Sequence, residues 1–392
     1  MPLTPADLDS LIADDLALRA NAHQLRARRP LTPISSTHVR IADVTYVNFA
    51  SNNYLGLTHH PRLIAAAQQS LQREGLGSGA AALITGHTTT HASAQAALAQ
   101  WKGTQDAVLL PSGYQANHAA IQTLAAFYKF SGVPEGPRTS GVRFLIDKLA
   151  HASLLDAVRG SKAEFRIFPH NHLPKLQRLL TDAPPNQLQV VLTESIFSMD
   201  GNAADLQGLL ELKQHHPFIL LLDEAHSSGV FAPAGGADVD IRIVTLSKAI
   251  GCIGGAVCAS KSFCAALVNY GRAYIFSTSV PPWVAAVATE AIAVIHDEPQ
   301  RAARVKKLAQ QVRQAVQLTG DSPIIPLILG EEARALKASQ RLAEAGLLVP
   351  AVRPPTVPKG SSRLRITLSC DHTDAEVQHL LDILAEMKRQ LG

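Results

Sequence analysis

Phe218-Ile219-Leu220-Leu221-Leu222-Asp223-Glu224-Ala225-His226 is an apolar run that stops abruptly at two carboxylates and a histidine. A run this short, with no polar alternation, reads as a strand covered on both faces. Such strands belong to parallel sheets with helices above and below. The chain around it repeats the pattern. Apolar runs at Ala107–Leu110, Phe144–Asp147, Phe165–Phe168, Gln189–Thr193, Ile241–Leu246 and Ala256–Ala259 are strand candidates. Helical stretches such as Leu173–Leu180 and Leu206–Gln214 lie between the earlier ones. The fold class is therefore α/β, built on a mostly parallel sheet.

Upstream, Leu8, Leu11, Ile12, Leu16 and Leu18 recur at helical spacing, and Pro30 and Pro33 end that segment. A strand is expected at Val44–Phe49, and a helix from His60-Pro61 to about Glu74, stopping before Gly75. Downstream of Pro281-Pro282 one long helical stretch is expected from about Trp283 to Gln317. Strands at Ile324–Ile328 and Arg363–Leu368 and a last helix from Asp374 to Gln390 complete a second lobe. The expected division is an N-terminal helical segment, 1–43, a large domain, 44–285, and a small C-terminal domain, 286–392.

The 392 residues include 46% hydrophobic and only 17% charged side chains, against about 25% charged in an average soluble protein. That composition favours a large buried interior over disorder. The net charge of +4 is spread thinly, with no basic cluster, which argues against a nucleic-acid surface. Cys252, Cys258, Cys264 and Cys370 form no C-x-x-C pair, so neither a zinc site nor a disulfide framework is expected, and no metal is. The N-terminus carries Asp7, Asp9, Asp14 and Asp15 in place of a basic-then-apolar leader, and no apolar run reaches membrane-spanning length. A soluble protein of the reducing cytoplasm is expected.

In open α/β sheets ligands bind beyond the carboxyl ends of the strands. Asp147-Lys148 with His151, Thr193-Glu194 with Ser198, Asp223 with His226, and Thr245 with Lys248 all fall at such ends. Ser112-Gly113-Tyr114-Gln115-Ala116-Asn117 is a strand-to-helix turn whose glycine lets backbone N–H groups face an anion, as a phosphate would need. Many such turns contain glycine without binding anything. Asp223 reads equally as a turn acid, Lys248 alone as a surface charge, and His151 and His226 alone as core or surface histidines. Together they match what pyridoxal phosphate requires: a lysine for the Schiff base, an acid for the ring nitrogen, flat and donating imidazoles, and a phosphate cradle.

Eight motifs in order carry a resemblance across nearly the whole chain. They are NFASNNYLGL (48–57), SGYQAN (112–117), HASLL (151–155), ESIFSMDG (194–201), DEAHSSG (223–229), TLSKAIG (245–251), FSTSVPP (276–282) and RPPTVPKGSSRLRIT (353–367). The chain resembles the α-oxoamine synthases, pyridoxal-phosphate enzymes of the aspartate-aminotransferase fold (fold type I). The Arg353–Pro358 segment resembles the branch that condenses L-alanine with a pimeloyl thioester on coenzyme A or acyl carrier protein. A glycine C-acyltransferase and a catalytically idle, cofactor-binding paralogue are the alternatives.

The resemblance implies particular roles. Lys248 would hold the cofactor and move the proton, and Asp223 would pair with the ring nitrogen. His226 and Ser198 would bond the phenolic oxygen, and His151 would stack on the ring. Gly113, Tyr114 and Thr245 would hold the cofactor, with Ser277 and Thr278 reaching the phosphate across a homodimer interface. Arg365 would grip the amino-acid carboxylate, while Asn52, Arg26 and Thr356 would lie near the substrates. One loop departs from the family pattern. Ala80, Ala81 and Ala82 stand where glycine, serine or threonine, and often arginine are usual.

Overall fold

The structure is a computed structural model that describes residues 4–127 and 141–391. The chain divides into two compact units, Asn52–Lys306 and the pair of segments Met1–Ser51 and Lys307–Gly392. This division differs from the one expected. The first 51 residues group with the C-terminal segment because their strands hydrogen-bond there, and the boundary near 285 moves to Lys306.

In chain order the strands are β1 (Thr32–Pro33), β2 (His38–Ile41), β3 (Val44–Asn48), β4 (Asp106–Leu110), β5 (Val142–Asp147), β6 (Glu164–Phe168) and β7 (Leu188–Glu194). They continue as β8 (Ile219–Asp223), β9 (Ile241–Thr245), β10 (Gly255–Ala259), β11 (Ile324–Gly330), β12 (Leu347–Leu348), β13 (Ala351–Val352) and β14 (Ser362–Thr367).

The larger unit is built on a seven-stranded sheet in the order β4-β10-β9-β8-β7-β5-β6. Only β10 runs against its neighbours, pairing antiparallel with both β4 and β9. Both faces are covered. On one, Phe144, Ile146, Val190, Leu192 and Leu221 pack with Ala116, Ala120 and Ile121 of the helix Gly113–Phe127 and with Leu154 and Val158 of the helix Ala152–Ser161. On the other, Leu145, Val191, Leu220 and Leu222 meet Leu176 and Leu180 of the helix Leu173–Thr181 and Leu209 of the helix Leu206–His215. Successive residues of a strand point to opposite faces, so burial of both faces demands the unbroken apolar runs seen in the sequence.

The smaller unit contains a four-stranded sheet, β1-β2-β3-β12, and a three-stranded one, β11-β14-β13. Its helix Pro5–Asn21 forms where the leucine spacing predicted, started by Thr4, whose side chain and Asp7 cap one another. The helix buries none of its residues. Leu8, Leu11, Ile12, Leu16 and Leu18 remain between 45% and 68% exposed. The single long helix expected from Trp283 to Gln317 is instead two, Pro282–Asp297 and Gln300–Ala315. Pro299 separates them, since proline supplies no N–H and restricts the residue before it. No helix among the described residues is long and apolar enough to cross a membrane.

Candidate active site

The parallel strands bring Asp147, Glu194, Asp223 and Thr245 to one rim of the large sheet, because each is the last residue of its strand. The antiparallel β10 starts at that rim, and its Gly255 pairs with both Leu110 and Thr245. A cavity of about 210 Å³ opens there, walled by Gly113, Asn117, His151, Asp223, His226 and Lys248 among others. One expected member is spent elsewhere. Asp147 accepts from His170 Nδ1 at 3.0 Å and from the backbone N–H of Leu149 and Asn171, so it holds a turn.

Asp223 is 4% exposed, and its partners are neutral. Oδ2 accepts from Asn117 Nδ2 at 2.8 Å and Oδ1 from the Ala225 N–H at 3.0 Å. No Lys or Arg bridges it among the described residues. Asn117 also donates to Ser153 Oγ at 2.8 Å. That hydroxyl meets His151 Nδ1 at 2.8 Å, and the same nitrogen caps the helix Ala152–Ser161 by accepting from the Ser153 N–H. His151 thus has a fixed ring, although much of its surface is open. Desolvation by the cavity wall lowers its proton affinity, and Asp223 opposes that shift.

On the other side, His226 Nδ1 lies 2.6 Å from Tyr54 Oη, which also contacts Asn52 Oδ1 at 3.1 Å. A single hydroxyl hydrogen cannot serve both bonds. It goes to the amide oxygen, which can only accept, so His226 Nδ1 carries a ring proton and donates to Tyr54.

The turn at Gly113 is built for close approach. A Cβ on Gly113 would lie 3.2 Å from both the Cβ and Oγ1 of Thr245, and one on Gly255 would lie 2.5 Å from the Gly113 nitrogen. The helix Gly113–Phe127 therefore begins against the wall, where Ser112 accepts from the N–H groups of Gln115 and Ala116 and those of Gly113 and Tyr114 lack intrahelical acceptors. Thr245 Oγ1 and Ser247 Oγ, 2.9 Å apart, add hydroxyls beside it. The Tyr114 ring turns away, stacking on His118 and donating to Asp156 at 3.0 Å, so only its backbone faces the turn. An open helix terminus with hydroxyls suits a phosphate, and a carboxylate held by neutral donors suits a cationic ring nitrogen. The residues present fit pyridoxal phosphate.

The remaining expected residues lie elsewhere. Ser198 is buried at a turn closed by the bond between the Phe197 N–H and the Asn202 carbonyl, off the cavity lining. Ser277 and Thr278 are also outside it, with Thr278 bridging to Ala81 of the departing loop. In the smaller unit, Arg26 Nη2 donates to Thr356 Oγ1 at 2.7 Å, joining two expected substrate residues 330 positions apart. Arg365 sits on β14, 6% exposed, and donates to Thr367 Oγ1 at 2.9 Å. Tyr54, Asn117, Ser153 and Glu194 were quoted in motifs without a role. For Asn117 a signal existed, since it lies one helical turn after Gly113 and so on the same face.

The family model for aminotransferase class I and II matches residues 44–384. An 8-amino-7-oxononanoate synthase of Cellvibrio japonicus is 39% identical, the alignment covering 98% of this chain and 97% of that one. The same-named protein of Pseudomonas putida GB-1 is 38% identical over 97% and 98%. Among solved structures, the serine palmitoyltransferase of Sphingomonas wittichii superposes with a TM-score of 0.88 at 30% identity over 99% of both chains. The 8-amino-7-oxononanoate synthase of Francisella tularensis gives 0.73 at 25% identity, over 88% of this chain and 99% of that one. The chain belongs to the aminotransferase class I and II family, in the α-oxoamine synthase branch that its motifs resemble.

Proposed function

We propose that this chain binds pyridoxal phosphate and condenses L-alanine with a pimeloyl thioester, giving 8-amino-7-oxononanoate, carbon dioxide and the free thiol carrier in biotin biosynthesis. The observation that carries the chemistry is one cavity holding Lys248 and an Asp223 whose partners are all neutral. The choice of substrates rests on the 38–39% identity to 8-amino-7-oxononanoate synthases over nearly the whole chain.

Bound there, the cofactor supplies an aldehyde carbon for amines and a ring that accepts the electron pair released at the alanine Cα. Asp223, held by Asn117 and Ala225, would pair with the ring nitrogen. His151, fixed by Ser153, stacks on the ring. His226 would bond the phenolic oxygen, with Ser198 as its second partner. The Gly113-Tyr114 turn and Thr245 hold the phosphate. The Lys248 amine takes the Cα proton, the carbon attacks the thioester carbonyl, and the thiol leaves. The alanine carboxyl then departs as carbon dioxide and a proton returns to carbon. Arg365 grips that carboxylate beforehand, which a planar two-pronged cation does better than lysine. Arg26, Asn52 and Thr356 line the route of the acyl substrate.

A homodimer with shared sites fits the exposed leucines of the helix Pro5–Asn21, which in a lone chain leave an apolar face in water. In that dimer Ser277 and Thr278 serve the phosphate of the partner subunit. The cytoplasm is the proposed location. Purified protein supplied with L-alanine, glycine or L-serine and with pimeloyl or shorter thioesters, on coenzyme A and on acyl carrier protein, tests the reading by product mass. Alanine with the pimeloyl group should give the dominant product. A dominant glycine product would move the chain to the C-acyltransferases, and no product from any pair would leave a cofactor-binding paralogue.

A further inference from the structure

Glu194 ends β7 in register with Asp223 at the end of β8, so the two side chains leave the same face of adjacent parallel strands. It lines the cavity, is 1% exposed, and has no place among the roles above. Its Oε1 is buried without a hydrogen-bond partner, and its carboxyl faces the backbone N–H of His151. We propose, resting on the cofactor reading above, that Glu194 is a positioning residue working as a neutral acid: it anchors the His151 backbone while leaving Asp223 the only anion of the pair.

Three influences favour ionisation. The His151 backbone N–H faces the Glu194 carboxyl, the carboxyl sits at the N-terminal end of the helix Ala152–Ser161, where the helix dipole favours negative charge, and Lys248 faces the same cavity. Three oppose it. The group is desolvated, Asp223 stands directly beside it, and Asp147 adds a second negative charge from the end of β5. His226, on the loop after β8, bonds Tyr54 through Nδ1. Burial outweighs the rest, because an ionised carboxylate with an unpartnered buried oxygen loses its hydration without replacement. The Glu194 carboxyl is accordingly held well above the ordinary carboxylate range, by burial first and Asp223 second. Asp223, by contrast, has a donor on each oxygen, Asn117 and Ala225.

The proton is testable without cofactor. A carboxyl that binds its proton more tightly folded than unfolded stabilises the fold most below about pH 4.3, and that contribution is lost as pH rises through the folded value. The melting temperature of cofactor-free wild type, relative to Glu194→Gln, should therefore fall between pH 5 and 8, by about 2 °C or more. A flat or rising difference overturns the neutral acid. The anchoring is tested in the cofactor-bound protein. Glu194→Ala should weaken the visible circular dichroism of the bound cofactor and cut turnover about tenfold, the effect of one lost buried bond, and Glu194→Gln should restore both. Wild-type dichroism and turnover in Glu194→Ala overturn the positioning role. Should that variant fail to fold, Glu194→Met, of similar length but with no acceptor, takes its place. A wild type that binds no pyridoxal phosphate overturns the underlying reading instead, and the cofactor-free melts still decide the proton.

Discussion

Asp223 and Glu224 are consecutive, both almost fully buried, and treated in opposite ways. Glu224 faces away from the cavity into a closed cluster. Lys102 Nζ reaches its Oε2 at 2.6 Å and Arg242 Nη1 bonds its Oε1. Lys102 also donates to Ser228 at 2.8 Å, and Arg242 to the carbonyls of Ala234 and Gly236. Asp223 meets only an amide and a backbone N–H. The strand alternation that sends consecutive side chains to opposite faces thus separates a carboxylate neutralised by its own protein from one whose charge is left for a ligand. The first is structure and the second is chemistry, one peptide bond apart.

The sharpest way to break this comparison is at the charge that shares Asp223's cavity. Lys248→Ala should lower turnover by about 10²–10⁴-fold or more, the scale of a lost proton-transfer group. Borohydride reduction followed by peptide mass should find the cofactor on the Lys248 peptide of the wild type and on none in the variant. A colourless variant that still turns alanine over would remove Lys248 from the chemistry.

The two acids should then fail differently. Asp223→Asn should lose activity by about 10²–10³-fold, the scale of a misplaced active-site charge or donor, with cofactor still bound and the melting temperature held or raised. Glu224→Gln should do the reverse, losing on the order of 3–5 kcal/mol of stability because two buried cations lose their counterion. Denaturant midpoints alongside turnover read both, and equal destabilisation in the two variants would collapse the distinction.

A smaller effect is expected at Arg365→Lys. A point charge replaces a planar fork, so the apparent alanine requirement should rise about tenfold, the value of one charge-assisted bond, while the visible absorbance stays. Unchanged alanine saturation would take Arg365 out of the site. Smallest of all, Ala81→Ser and Ala82→Arg should shift the kcat/KM ratio of alanine over L-serine by about twofold, the low end of a single hydrogen bond. The direction should be against L-serine, because the family resemblance puts this loop near the amino-acid side chain, where Ala81 lacks a hydroxyl. Identical ratios in the wild type, both single variants and the double variant would make the loop neutral.

Much of this was legible in the sequence, for a physical reason. Strands buried on both faces have to be continuous apolar runs, so β4, β5 and β7 to β10 could be read directly, and the polar residues ending β5, β7, β8 and β9 marked the rim. Asp223, Lys248, His151 and His226 followed from that rule. The partners did not. Asn117, Ser153 and Tyr54 matter through whom they touch, and Tyr54 finds His226 172 positions away. Nothing in the residue types near Glu224 distinguishes it from Asp223 either, since Lys102 and Arg242 arrive from other elements. The helix break at Pro299 was overlooked because apolar spacing continues on both sides of it, through Val294 and Val305. The grouping of the first 51 residues with the last 86 was invisible because it rests on contacts between distant positions, among them the pairings of Val47 with Leu347 and Asn48 with Leu348 and the bond from the Thr367 N–H to the Phe49 carbonyl.

Those two pairings also set a timetable for the ribosome. Val47 leaves the exit tunnel 300 positions before the residue it bonds. At roughly 5–20 residues per second the wait is about 15–60 s. For that time the β2–β3 hairpin carries an unpaired backbone edge, the kind of surface that recruits stray strands. The large sheet has a shorter delay, since β4 bonds only β10 and must wait for Gly255–Ala259. A nascent chain stopped before Leu347 therefore carries a complete large sheet and an unmatched beginning. Translational pausing in the last quarter of the message would prolong the exposure of that edge, and chaperone binding to the first 51 residues would shorten it.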